Sequence, residues 1–162
     1  MEGTIHLKSK EGKDFTITKK AAELSELLKG TMNDYPDDNS IPLTDIDEKT
    51  TEEVLVYLTH FNGQSPQEIE KPLPSSDLKS LIDEWSFNYI DKFNMDDLVN
   101  LTVAANFMGI NSLLDLCCAK ISSLCKDKSE EEIFKTFNIT ETFTEEEKEI
   151  IRKENQWIED NI

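Results

Sequence analysis

Two helix starts stand in the C-terminal stretch from Ile121 to Ile162, and they constrain the fold more than any other feature of this chain. Ser129-Glu130-Glu131-Glu132 and Thr144-Glu145-Glu146-Glu147 both read S/T-x-x-E. In that pattern a hydroxyl and a carboxylate satisfy the orphan amides of a helix's first turn. Between and after them stand Ile133, Phe134, Phe137, Ile139, Phe143, Ile150, Ile151, Trp157 and Ile158. Short helices with so much apolar surface must bury it. Two outcomes are open: the helices fold back onto the rest of the chain, or part of their surface receives a partner.

The preceding residues read as mixed strands and helices, then helices alone. Thr4 to Leu7 and Asp14 to Thr18 alternate in polarity around Glu11-Gly12-Lys13, which predicts a β-hairpin. Lys19 to Leu28 carries Ala22, Leu24, Leu27 and Leu28 at helical spacing. Ile41-Pro42-Leu43 reads as a short strand, at a sheet edge or strand start because Pro42 cannot donate to a ladder. A helix is expected from about Asp47 to Phe61, with Val54, Leu55 and Leu58 inward. The stretch 62–77 holds Gly63, Pro66, Pro72 and Pro74 with few apolar residues, which predicts a mobile surface loop. Helices should follow over Leu78 to Asp91 and Met95 to Met108. Gly109 suits a C-terminal cap, and Asn111 suits the N-cap of a helix with Leu113, Leu114, Cys117, Ile121 and Leu124 on one face. The order indicates an α+β domain, residues 1–126, followed by a helical extension, residues 127–162.

Composition excludes several classes of function. A net charge of −17 opposes binding to phosphate backbones, so no nucleic acid is expected. No apolar run approaches the roughly 20 residues of a membrane span, and the opening MEGTIHLKSK lacks the apolar core of a signal peptide. Cytoplasm and nucleus are the expected compartments. The cysteines agree: Cys117, Cys118 and Cys125 fall on one expected helix, whose rise of about 1.5 Å per residue sets Cys125 roughly 10–12 Å from the other two. A disulfide tolerates only about 7 Å between Cα atoms. Reduced thiols are expected, and no spacing of Cys and His suits a metal.

No catalytic set emerges. His6 and His60 are far apart in sequence, the carboxylates come as helix-facing runs, and the glycines form no phosphate-cradling motif. What remains is surface for partners, and no cofactor is expected.

Two motifs narrow that surface to a family. The segment SEEEIFKTFNITETFTEEEKEIIRKENQW, Ser129 to Trp157, resembles the C-terminus of the Skp family, the F-box-binding adaptors of SCF (Skp–cullin–F-box) ubiquitin ligases. The stretch LTVAANFMGINSLLDLCCAKI, Leu101 to Ile121, resembles the same family, in the right order and at the right separation. The resemblance extends over almost the whole chain and implies a BTB/POZ fold followed by C-terminal helices. It implies two partners, F-box proteins and a cullin. Carried over by motif, Leu114, Cys118, Ile121, Ile133, Phe137, Ile139 and Trp157 would face the F-box, and Asn106 and Phe107 the cullin. Phe107 stands where Tyr is commoner, Phe134 replaces a usually basic residue, and Glu145 sits where some relatives carry a modifiable proline. The resemblance leaves open a same-fold adaptor in a kinetochore or vacuolar-ATPase-assembly complex, and a weak homodimer of the free chain. An acidic structural or chaperone-like protein is the rival from another class.

Overall fold

The computed structural model describes residues 3–36, 40–139 and 143–159, the side chains of residues 157–159 excepted. The chain divides into two compact units, Met1–Asp127 and Lys128–Ile162.

The first unit is built on a small sheet. Strands β1 (Thr4–Lys8) and β2 (Asp14–Thr18) form the expected hairpin, and Gly12 in its turn takes φ +87°. Strand β3 (Ser40–Pro42) pairs in parallel with the other side of β1, giving the order β2-β1-β3 and leaving Pro42 on an edge. Alternation sends Ile5 and Leu7 to the buried face, where both are fully enclosed.

The helix expected over Lys19 to Leu28 is broken into α1 (Lys19–Ala22) and α2 (Glu26–Asp34). Ser25 causes the break by capping α2, its Oγ accepting from the Leu28 amide at 3.2 Å. A serine hydroxyl competes with the helical backbone for its own hydrogen bonds, and here it wins.

Helix α3 (Glu48–Phe61) starts where Asp47 caps it and buries Val54, Tyr57 and Leu58, with Leu55 half-buried. The helix expected from Leu78 is shorter: Leu78–Ser80 forms a single 3₁₀ turn, and α4 (Glu84–Asp91) begins after its cap, Asp83. Tyr57 and Phe61 from α3 meet Trp85 and Tyr89 from α4 in an aromatic cluster, with His60 stacked on Trp85 at 3.6 Å.

Helix α5 spans Met95–Met108 as expected and ends at Gly109, whose φ of +63° makes it a left-handed cap. Helix α6 (Asn111–Cys125) departs from expectation at its start. Asn111 is its first residue, and the fully buried Ile110 precedes it with no side-chain cap. Its core-facing side is centred on Leu113, Leu116 and Cys117, so that Leu114, Ile121 and Leu124 fall to a half-buried flank.

The stretch 62–77 is also less free than its composition implies. Ile69 and Leu73 pack against the core, and the Lys71 ammonium meets the Asp115 carboxylate of α6 at 2.6 Å.

The second unit holds α7 (Glu130–Thr136) and α8 (Glu145–Glu159). Both capping boxes form: the Ser129 amide donates to Glu132 at 2.9 Å and the Thr144 amide to Glu147 at 2.8 Å, with the reciprocal amide-to-hydroxyl bonds also present. Helix α7 closes with Asn138 at φ +52°, the Ile139 amide reaching back to the Phe134 carbonyl at 2.9 Å. That is the Schellman arrangement, with asparagine in place of the usual glycine.

Candidate partner-binding surfaces

Helix α5 is apolar on both sides. Leu98, Leu101, Ala104, Ala105 and Met108 are buried, whereas Val99, Val103 and Phe107 are 47%, 62% and 44% exposed. Those three recur every fourth residue, so they form one stripe on the outer surface. Asn106 is exposed beside Phe107. The α5 backbone that carries this stripe is fixed from behind, because α2 and α3 both pack against it. A hollow of about 240 Å³ opens beside Val103 and Phe107, floored by Ile46 and Ala104 and edged by Asp45 and Asp47. The nearby Lys49 is tied to Asp97 at 2.6 Å, and that hydrogen bond raises its pKa above the ordinary lysine value.

Asn106 and Phe107, expected to serve one partner, are therefore together on an exposed face. Val99 and Val103 extend the face, and sequence reasoning did not single them out. The available signal was the apolar content of α5, which exceeds what one buried face requires.

The second expected set is divided between the two units. Leu114, Cys118 and Ile121 share the outer flank of α6, with Cys118 exposed and the others half-buried. The side chain of Cys117, one residue away, points to the core, where burial pushes its thiol up to about 12. In the second unit Ile133 and Phe137 are half-buried on α7, and Ile139 is 43% exposed. Trp157 falls in α8, but its side chain lies outside the described residues. Phe143, Ile150 and Ile151 are 54%, 56% and 37% exposed, so the second unit carries more open apolar surface than those expected residues alone.

The histidines are occupied locally. His6 Nδ1 lies 3.0 Å from Thr16 Oγ1, and His60 rests on the Trp85 ring. All three cysteines are free thiols. Among the described residues no grouping of His, Cys, Asp and Glu could hold a metal ion, and no described helix is long and apolar enough to cross a membrane.

Comparison with known proteins bears on the fold. Residues 3–63 match the model described as Skp1 family, tetramerisation domain, a POZ domain, and residues 111–158 match Skp1 family, dimerisation domain. The sheet-bearing POZ unit followed by helices is the fold that the sequence implied. The chain is 38% identical over 156 residues to the S-phase kinase-associated protein 1 homolog of Tetrahymena thermophila, covering 96% of this chain and 94% of that one. It is 36% identical over 157 residues to the E3 ubiquitin ligase complex SCF subunit sconC of Arthroderma otae, with coverage of 96% and 94%. The sconC subunit of Talaromyces marneffei is 34% identical over 161 residues, covering 99% of both chains.

Proposed function

The chain belongs to the Skp1 family, and on that premise we propose that it is the non-catalytic adaptor of an SCF-type E3 ubiquitin ligase, joining a cullin scaffold to F-box substrate receptors. The observation that carries the reading is near-end-to-end similarity to proteins named as SCF subunits. Two separate faces, the exposed apolar stripe of α5 and the flank of α6 with Cys118 exposed and Leu114 and Ile121 half-buried, suit a bridging role.

The mechanism is geometric. Asn106 and Phe107, extended by Val99 and Val103, take the cullin. Leu114, Cys118 and Ile121 take the F-box, together with Ile133, Phe137, Ile139 and Trp157. The cullin brings the ubiquitin-charged enzyme through its RING subunit, and the F-box protein brings the substrate. Fixing their relative position raises the effective concentration of substrate at the ubiquitin thioester. No residue of this chain takes part in bond making or breaking. The adaptor acts in the cytoplasm and nucleus, and without partners its apolar tail supports weak self-association.

Calorimetric titration of the chain with an F-box domain, followed by a cullin N-terminal domain, tests the reading. Saturable one-to-one binding of each, without displacement of the other, is expected. Binding of the cullin alone would leave an adaptor for another class of receptor, and binding of neither by the folded protein would refute the proposal.

A further inference from the structure

The stretch 62–77 does more than connect α3 to the later helices. Between it and α6 runs a groove of two adjoining hollows. The first, about 370 Å³, has an apolar floor of Tyr57, Ile69, Ile82 and Leu116. The second, about 330 Å³, is walled by Leu73, Cys118 and Ala119. Ile69 and Asp115 line both, so the two hollows adjoin. The Lys71–Asp115 ion pair and the packing of Ile69 and Leu73 hold the outer wall in place.

The two hollows differ in charge. Among the described residues the first is lined by Glu68, Asp83 and Asp115 and by no Lys or Arg; Asp115 is already paired with Lys71, which leaves Glu68 and Asp83 to carry the charge of the rim. Asp83 is kept ionised: partial burial works against its charge, but hydrogen bonds from Ser86 outweigh that and hold its carboxyl below the ordinary range. An apolar floor under a rim of carboxylates fits an aliphatic side chain accompanied by a cation. The second hollow reaches Cys118, one of the residues assigned above to the F-box. An occupant of the groove is therefore continuous with a chain already seated on the α6 flank.

We propose that this groove is an auxiliary receptor site, taking the segment of an F-box protein that flanks its F-box and presents an aliphatic side chain to the floor and a Lys or Arg to the rim of Glu68 and Asp83. The inference rests on the adaptor reading. It makes the loop a selector among receptors, because an acidic rim favours basic flanks and repels acidic ones.

The test uses the full chain, an F-box protein whose F-box is flanked by a Lys- or Arg-bearing aliphatic segment, and the isolated F-box domain of that protein. The wild-type chain is expected to bind the longer partner about tenfold more tightly at low salt, as one added charge contact would give. In the double variant Glu68→Gln, Asp83→Asn that difference should close, with binding of the isolated F-box unchanged. Asparagine caps helices as well as aspartate does, so the start of α4 is retained. Zero-length carbodiimide cross-linking of the wild-type complex should join lysines of the flanking segment to Glu68 or Asp83. Equal affinity for the two partners, or a difference that survives in the variant, would overturn the groove. Failure of the isolated F-box to bind at all would overturn the adaptor reading instead.

Discussion

The Ser25 hydroxyl donates a 2.6 Å hydrogen bond to the Met108 carbonyl, across 83 residues of sequence. The same oxygen accepts from the Leu28 amide, so one buried serine starts α2 and satisfies the end of α5. Gly109 follows immediately, with a Cβ position only 2.9 Å from Glu26 Cβ and an amide from Glu26 bonded to its carbonyl. The start of α2 and the end of α5 are thus locked together beside Phe107, at one end of the proposed cullin face.

Ser25→Ala removes the cap and orphans a buried carbonyl. A loss of about 2–3 kcal/mol is expected, about 1 from the cap and the remainder from the unpaired acceptor. Urea unfolding followed by circular dichroism measures it, and a loss below the cap contribution alone would show that Met108 finds another donor.

Replacing Asn106 and Phe107 together by lysine should strongly weaken cullin binding while sparing the F-box. Both residues are exposed, so the free protein tolerates the change, but the complex must bury unpaired charge. A cost of about 2–4 kcal/mol, roughly 30- to 1,000-fold in Kd, is expected from calorimetry. Parallel loss of both partners would indicate a folding defect.

The tail should show the opposite selectivity. Trp157→Ala is expected to weaken F-box binding by about 2 kcal/mol and leave cullin binding intact; unchanged F-box affinity would remove Trp157 from the site. The double variant Ser129→Ala, Thr144→Ala removes both capping boxes and should lower helicity in α7 and α8, by about 1 kcal/mol for each helix. Acid should act on α7 in the same way. Hydrogen bonds from Ser129 hold the Glu132 carboxyl below its ordinary value of 4.5, so the box is intact above that pH and is lost as pH falls below it.

Alkaline pH should destabilise the first unit. Burial pushes the Cys117 thiol from 9.0 up to about 12 and the Tyr57 hydroxyl from 10.0 up to about 12, the latter against its hydrogen bond to Ser112. The unfolded chain releases these protons first. Stability is therefore complete below about pH 9 and falls between 9 and 12, by about 1.4 kcal/mol per pH unit for each group then ionised only in the unfolded state. Denaturant midpoints across that range measure the slope, and a flat profile would contradict it. At pH 8 iodoacetamide should label the exposed Cys118 and spare Cys117 until the protein unfolds, as read by peptide mass spectrometry.

Local chemistry made much of the fold legible. The spans of α3 and α5 and both boxes of the tail rest on groups within four residues of each other, and the hairpin on alternating polarity around Gly12, so pattern alone locates them. Two of the three departures share one cause. Ser25 breaks a helix, assisted by a carbonyl 83 residues away. Asp83 starts α4 later than apolar spacing indicates, and Ile110 replaces a polar cap because the chain enters α6 through the core. The Ser25 break and the Ile110 start depend on a distant partner or an enclosure that no local window contains, whereas the Asp83 cap rests on the Ser86 amide three residues on.

The candidate surfaces divide in the same way. Sequence by itself determined the family, the two capped tail helices and which residue types are available to partners, because those follow from side-chain order and local hydrogen bonding. Only tertiary structure decided which apolar residues remain open. The inward face of α6 turns on Leu116 rather than Leu114, Val99 and Val103 join Phe107 outside, and Ile69 folds the loop against α6 to form a groove. Burial is settled by what packs against a residue, and that neighbour comes from a distant part of the chain.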